Sequence, residues 1–388
     1  MIYLDHAATT PTDPRVLEAM LPYLTYEFGN PGSIHCYGHA AKDAIDRARE
    51  QTACFFHCLN EQIIFTSGGS EGNNMVFCGI SDELRRRGKP AIVISGIEHD
   101  SVWKAAHRMK IKHGFDLRIC PPNKDGQIEL SAIEGLLDDS VGLVSVMAAN
   151  NETGVLNDVL GIGKLCQERG ILFHTDAVQL AAVEAPDTES AFRYADFITV
   201  SGHKFGAPKG VGALYARNPS LLAPLIVGGA EQEFGLRGGT ENVPGIVGLG
   251  MACEIMLREQ DKHAEYLHAQ RSQMIFMMKN LAQQTGVEMV LNSDPSLSVP
   301  KTINVRFPGI DAQTLLLLLD SSGICVSAGS ACRAHENIPS RVLTAMGLSE
   351  EDARSSIRIS ISHINSPDEI DGAASAIIHA VQSLKEIE

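Results

Sequence analysis

The sequence predicts an α/β protein with a mostly parallel sheet in a large domain and a smaller α+β unit after it. Two observations carry this. Through the first two-thirds of the chain, short apolar runs alternate with helical patterns, the order expected when crossover helices cover both faces of a parallel sheet. Near Gly250 the texture changes to a long charged helical stretch, followed by short strands and helices in a different order. The expected division assigns residues 13–256 to the large domain and residues 1–12 with 257–388 to the small one. No Ser/Gly linker, low-complexity tract or repeat separates them, so the two should pack together.

In chain order, Gln62-Ile-Ile-Phe-Thr66 reads as a strand, Ser67-Gly68-Gly69-Ser70 as a tight turn, and Glu71 onward as a helix. Ala91–Ser95, Gly142–Met147 and Gly170–His174 read as buried strands, with Leu160–Arg169 an amphipathic crossover helix before the last of them. Asp196–Val200 is another apolar run, ending at Ser201, and Ala207–Gly212 beyond it is turn chemistry. The long helical stretch should run from near Gly250 to about Gln284. Thr302–Arg306, a helix over Asp311–Ser321, Ile324–Ser327, Ser355–Ser362 and a final helix ending near Lys385 complete the smaller unit.

Chemistry concentrates at the ends of these elements. Ser201-Gly-His-Lys204 puts a lysine at the C-terminal mouth of a buried strand, where open α/β sheets bind ligands. Asp176 stands upstream and Cys332 far downstream among small residues. The set reads as a pyridoxal phosphate lysine, a carboxylate that keeps the pyridine nitrogen protonated, and a separate thiol nucleophile. Taken singly, the lysine could equally be solvated and the aspartate an ordinary strand end. The glycine turn before Glu71 is the second feature, because free N–H groups and the positive end of a helix dipole favour an anion there. An ordinary turn capped by Ser70 is the competing reading. The segment lacks the Gly-Lys-Ser/Thr of a nucleotide-binding loop and the spaced dinucleotide pattern, so a monophosphate fits better.

Composition narrows the class without fixing it. The chain has 388 residues, 44% of them apolar, and a formal charge of −15. That charge argues against direct nucleic-acid binding and against anionic membranes. The start, Met1-Ile-Tyr-Leu-Asp-His6, has no basic region followed by an apolar stretch, and the expected location is cytoplasmic. Nine scattered cysteines suit reduced thiols better than a disulfide framework. Cys54-Phe-Phe-His-Cys58 holds three potential metal ligands, yet its aromatic pair favours a packed helix and no second ligand pair accompanies it, so no metal is expected.

Eight motifs then fall in one order: Tyr3-Leu-Asp-His-Ala-Ala-Thr-Thr10, Phe28-Gly-Asn-Pro-Gly-Ser-Ile-His35, Glu98-His99, Asn150-Asn-Glu-Thr-Gly154, His174-Thr-Asp-Ala-Val-Gln179, Ser201–Lys204, Arg237-Gly-Gly-Thr240 and Gly329-Ser-Ala-Cys332. Together they resemble a cysteine desulfurase of the NifS/IscS type, from Tyr3 to the final helix. The resemblance implies the aspartate aminotransferase-like fold of pyridoxal phosphate enzymes and a homodimer. It also implies that L-cysteine becomes L-alanine while sulfur passes to an enzyme persulfide and on to an acceptor protein.

Residue by residue, the resemblance implies Lys204 as the cofactor lysine and acid/base, Asp176 at the pyridinium, Gln179 at the phenolic oxygen and His99 stacked on the ring. Gly69, Ser70, Ser201 and His203 would hold the phosphate, with Thr240 reaching it from the neighbouring subunit. Arg358 would bind the substrate carboxylate bidentately, assisted by Asn151 and Asn30. Cys332 would be the thiol that takes the sulfur. Arg333-Ala-His-Glu336 departs from the small hydroxyl residues common in relatives, and His363 stands where arginine is frequent, which leaves the acceptor open. Two rival readings remain: an aminotransferase or selenocysteine lyase, for which Cys332 would be dispensable, and a docking protein without turnover, against which the intact Lys204, Asp176, Arg358 and Cys332 argue.

Overall fold

The computed structural model describes residues 1–229, 232–329 and 338–386. Its strands are β1 (Ile2–Tyr3), β2 (Ile63–Thr66), β3 (Ala91–Ser95), β4 (Asp116–Cys120), β5 (Val141–Ser145), β6 (Leu172–Asp176), β7 (Phe197–Ser201), β8 (Gly212–Ala216), β9 (Val290–Leu291), β10 (Thr302–Arg306), β11 (Ile324–Cys325) and β12 (Ser356–Ser360). The helices are α1 (Pro14–Thr25), α2 (Cys36–Phe56), α3 (Gly69–Gly79), α4 (Ser81–Arg86), α5 (Asp100–His113), α6 (Leu130–Glu134), α7 (Val159–Glu168), α8 (Val243–Thr285), α9 (Ala312–Ser321), α10 (Arg341–Ala345), α11 (Glu350–Arg354) and α12 (Pro367–Lys385).

Seven strands form the main sheet in the order β2-β8-β7-β6-β5-β3-β4. Only β8 runs against its neighbours; the remaining pairs are parallel. Every residue of β2, β3, β5, β6, β7 and β8 is buried, which is why these strands read as unbroken apolar runs rather than alternating ones. Alternate residues feed two cores. Ile64, Ile92, Ile94, Leu143 and Phe197 pack with residues of α3, α4 and α5 on one face. Phe65, Val93, Val144, Phe173 and Ile198 pack with α1, α2, α7 and α8 on the other. The parallel strands therefore end along one edge, and Thr66, Ser95, Ser145, Asp176 and Ser201 open onto the same side.

The C-terminal part builds a separate antiparallel sheet, β12-β10-β9, and β1 pairs in parallel with β11. The N-terminal segment thus crosses from the small sheet to the main one. Asp5 bridges Ser360, and Thr10 then packs on the turn that carries Lys204, its N–H donating to the His203 carbonyl at 2.9 Å.

Several boundaries differ from the sequence expectation for physical reasons. Gly170 sits at φ +60° and closes α7, so β6 begins two residues later than expected and reaches Asp176. Helix α3 starts at Gly69, ahead of the expected Glu71, with Gly68 at its N-cap and no side-chain cap, so Ser70 does not cap it. Helix α8 starts at Val243, where Asn242 caps it and Pro244 occupies its first turn, and not near Gly250. The expected division at 256/257 falls inside this one helix. The edge strand β4 and the antiparallel β8 were not among the expected elements. At Cys54–Cys58, α2 ends at Phe56 with Phe55 and Phe56 in the core, while His57 turns left-handed. No helix among the described residues is long and apolar enough to cross a membrane.

Candidate active site

A cleft of about 220 Å³ lies at the C-terminal edge of the parallel strands. Lys204 enters it from the 3-10 turn Gly202–Lys204 that follows β7. Its Nζ donates to the carbonyl oxygens of Ala7 and Ala8, both at 2.7 Å. Gln179 Nε2 donates to the same Ala7 oxygen at 2.9 Å. The amine is thus tied to the N-terminal segment at the edge of the cleft.

Asp176 ends β6 and is 4% exposed. Its Oδ1 accepts from the Val178 amide at 3.0 Å and its Oδ2 from Asn73 Nδ2 at 2.7 Å. Beside it, the first turn of α3, which carries N–H groups without intrahelical partners, borders the cleft at Gly69 and Ser70. Close packing explains the glycines: a Cβ on Gly69 would lie 2.8 Å from Val178 Cγ2, and one on Gly68 would lie 3.4 Å from Ser201 Oγ. Ser70 and Ser201 line this end. His203 lines it too, with Nδ1 3.1 Å from Thr9 Oγ1. Burial, with the nearby Lys204, Lys209 and Lys301 charges, pushes the His203 imidazole down to about 4, so it is neutral at pH 7.

His99 is the N-cap of α5 and also faces the cleft. Arg358, on β12 and 2% exposed, closes the opposite end. Its Nη1 donates to the Asn151 carbonyl and its Nη2 to Asp5 Oδ1, each at 2.7 Å, while Nε has no partner among the described residues. Next to His99, Glu98 is buried; desolvation, reinforced by the Asp176 charge, pushes its carboxyl up to about 8. Its Oε1 accepts from Ser95 Oγ and the Met147 amide.

The cleft brings together Gly69, Ser70, His99, Asn151, Asp176, Gln179, Ser201, His203, Lys204 and Arg358. Asn30 and Thr240 lie elsewhere. Asn30 borders a surface groove with Gly229, Gln232 and Glu241, and Thr240 is exposed next to Glu241. Cys332 lies outside the described residues. The residues on either side of that segment, Gly329 and Ile338, line a second cleft of about 90 Å³ that shares His99 and Asn151 with the first.

Sequence reasoning missed the Ala7 and Ala8 carbonyls, which carry no side-chain signal, and Asn73, Ser101 and Lys301. Asn73 had one detectable mark, a polar residue on the inward face of α3 among Gly72, Val76 and Phe77. Lys301, 3% exposed, is pushed down to about 7 by burial and by Lys204 and Arg358.

An amine, a buried carboxylate, an anion-binding helix end and a guanidinium around one cleft suit covalent binding of a phosphorylated aldehyde and recognition of an amino acid. The class-V aminotransferase family matches the chain over residues 2–372. The cysteine desulfurase IscS of Clostridium botulinum strain Hall is 38% identical over 386 residues, covering 100% of this chain and 96% of the relative. The cysteine desulfurase of Mus musculus is 38% identical over 388 residues, covering 100% and 82%. Among solved structures, a NifS-like protein aligns over 100% of both chains with a TM-score of 0.89 at 33% identity. SspA in complex with cysteine covers 93% of this chain and 99% of that one, with a TM-score of 0.79 at 34% identity.

Proposed function

We propose, from the premise that the chain belongs to the class-V aminotransferase family and within it to the cysteine desulfurases, that it converts L-cysteine to L-alanine and carries the released sulfur as a persulfide on Cys332 to an acceptor protein. The observation that carries this reading is the meeting of Lys204, Asp176 and the N-terminus of α3 on one cleft, beside a second cleft lined by the residues that flank the Cys332 segment.

The cleft fits pyridoxal phosphate. Its amine reaches the cleft beside the Ala7 and Ala8 carbonyls, its carboxylate is buried and held by two N–H donors, and Gly69 leaves no room for a side chain where the helix end meets Val178. Bound there, the cofactor supplies an electron-accepting ring that weakens bonds at the substrate's Cα. Lys204 would hold it and move the proton at Cα. Asp176 would face the ring nitrogen, Gln179 the phenolic oxygen and His99 the ring. Gly69, Ser70, Ser201 and His203 would take the phosphate, with Thr240 added from a second copy of the chain. Neutral His203 serves such a site as a hydrogen-bond donor without adding charge. Arg358, with Asn151 and Asn30, would hold the substrate carboxylate.

Cys332 supplies the step an aminotransferase lacks. Its thiolate forms an S–S bond to the substrate sulfur as the Cβ–S bond breaks, and the electron pair stays with the carbon skeleton, which takes up a proton and leaves as alanine. The exposed apolar stripe Leu17, Leu21 and Leu24 on α1, with Phe28, Ile34 and Val227, supports a homodimer face on the side that carries Asn30.

Two variants test the reading. Lys204→Ala should lose the visible cofactor band and any borohydride-reducible adduct. Cys332→Ser should still bind cysteine and shift that band, while alanine production falls by at least about 100-fold, because serine is far less ionised and forms no persulfide. In the unmodified protein, cysteine should add one reductant-labile sulfur to the Cys332 peptide by mass spectrometry. Near-normal alanine production by Cys332→Ser would favour the lyase or aminotransferase reading.

A further inference from the structure

His99 is held at Nδ1 by Ser101. The Ser101 amide donates to Nδ1 at 3.1 Å, and Ser101 Oγ lies 2.7 Å from the same nitrogen. A nitrogen that receives an amide N–H carries no proton of its own, so the hydroxyl donates to it as well. Ser101 Oγ is then left to accept, and Asn73 Nδ2 donates to it at 2.8 Å. The second hydrogen of that same Nδ2 goes to Asp176 Oδ2 at 2.7 Å. The Asn73 amide has one workable orientation, because the flipped one would set its oxygen against a carboxylate oxygen with no proton between. Asn73 is fully buried, and its Oδ1 has no partner among the described residues. The hydrogen bonds therefore run in one direction, outward from Asn73 to Asp176 on one side and through Ser101 to His99 on the other.

We infer that Ser101 and Asn73 are positioning residues that fix His99 as the neutral imidazole protonated on Nε2 and tie its state to that of Asp176, an inference that rests on reading this cleft as the cofactor site. The arrangement gives His99 a proton to donate from Nε2 while Nδ1 stays occupied. It also spends both hydrogens of the Asn73 amide, so neither link can be lost without disturbing the other. Charged groups surround the ring from several elements. Glu98 and Asp100 flank it in sequence, Asp176 and Lys204 face the cleft from β6 and the turn after β7, and Arg358 comes from β12. Glu152 and Arg341 line the adjoining cleft, His203 the cofactor end.

The test follows the rate at which diethyl pyrocarbonate acylates His99 as pH varies, read on the His99 peptide by mass spectrometry, using the full chain with and without added pyridoxal phosphate. Ser101→Ala removes one donor to the neutral ring, so the midpoint should rise by roughly half a pH unit to one unit. Ser101→Thr keeps the hydroxyl and should restore the midpoint. Asn73→Ala does not touch His99, yet it should shift the midpoint in the same direction, and the double variant should shift less than the sum of the two. A helix-capping role for Ser101 alone would leave the Asn73 variant like wild type. Midpoints that match wild type in Ser101→Ala, or in Asn73→Ala with Ser101 intact, overturn the inference. Loss of the Lys204 adduct with these shifts intact would count against the cofactor reading instead, since the cofactor-free samples report His99 independently.

Discussion

Glu98 and Lys301 would both be charged in water at pH 7, and folding leaves them 1% and 3% exposed. Burial, the main cause in each, pushes Glu98 up from 4.5 to about 8 and Lys301 down from 10.5 to about 7. The two shifts act on stability with opposite signs. Between 4.5 and about 8 the folded chain holds the Glu98 proton that the unfolded chain has lost, so stability falls as pH rises through that window. Between about 7 and 10.5 the unfolded chain holds the Lys301 proton that the folded chain has lost, so stability rises with pH there. Each full window corresponds to a few kcal/mol, on the order of 3–5. Glu98→Gln should therefore match wild type near pH 5 and become the more stable protein above pH 8. Lys301→Met should be more stable than wild type near pH 6 and lose that advantage toward pH 10. Urea titrations of the three proteins across this range check both, and parallel stability curves would show that neither group titrates in these windows.

The contact between α2 and α8 turns on glycine. A Cβ on Gly250 would lie 2.7 Å from Ala48 Cα and 2.6 Å from Gln51 Oε1, and one on Gly248 would lie 2.8 Å from Met20 Sδ of α1. Small residues let the first turns of α8 approach both helices, and α8, 43 residues and about 65 Å long in all, goes on to meet α12 as well. Gly250→Val should force the helices apart and cost about 1–3 kcal/mol in urea denaturation, with cofactor binding by the folded fraction unchanged. The expected start near Gly250 followed the onset of charged helical sequence, whereas α8 begins at Val243 and its glycine-rich first turns show their role only once α1 and α2 lie against them. Buried parallel strands were legible because they are continuous apolar runs, whereas β4 at the sheet edge is exposed or half-buried in all but its last residue and β8 follows a turn that dominates its local pattern. The place of Lys204 and Asp176 at the cleft was legible because both sit at strand ends. The contacts of the Ala7 and Ala8 carbonyls and of the Asn73 amide were not, because they depend on which segments the fold brings together.

At the scale of the molecule, the cleft holds most of the expected cofactor and substrate groups, while Thr240 and Asn30 stand outside it, and Phe28, Ile34 and Val227, close to Asn30 or to the Gly229 side of its groove in sequence, are exposed. Apolar exposure of that extent is typical of an interface, and a closed two-fold pairing would let each chain offer its Thr240 to the other's cleft. Subunit complementation distinguishes this from a Thr240 that serves its own chain. Lys204→Ala homodimers should be inactive, and Thr240→Val homodimers should bind pyridoxal phosphate weakly through loss of one hydrogen bond to phosphate. In a mixed dimer isolated with two different tags, donation across the interface leaves one site with neither group and one site with both. That dimer should show about half of wild-type desulfuration and one site of wild-type cofactor affinity, because one closed site in two is complete. If Thr240 acted within its own chain, the only site with Lys204 would lack Thr240, and the mixed dimer would show the weak cofactor binding of Thr240→Val together with half of its activity. A fully active monomer in sedimentation and activity measurements at one dilution would exclude donation of Thr240 across an interface.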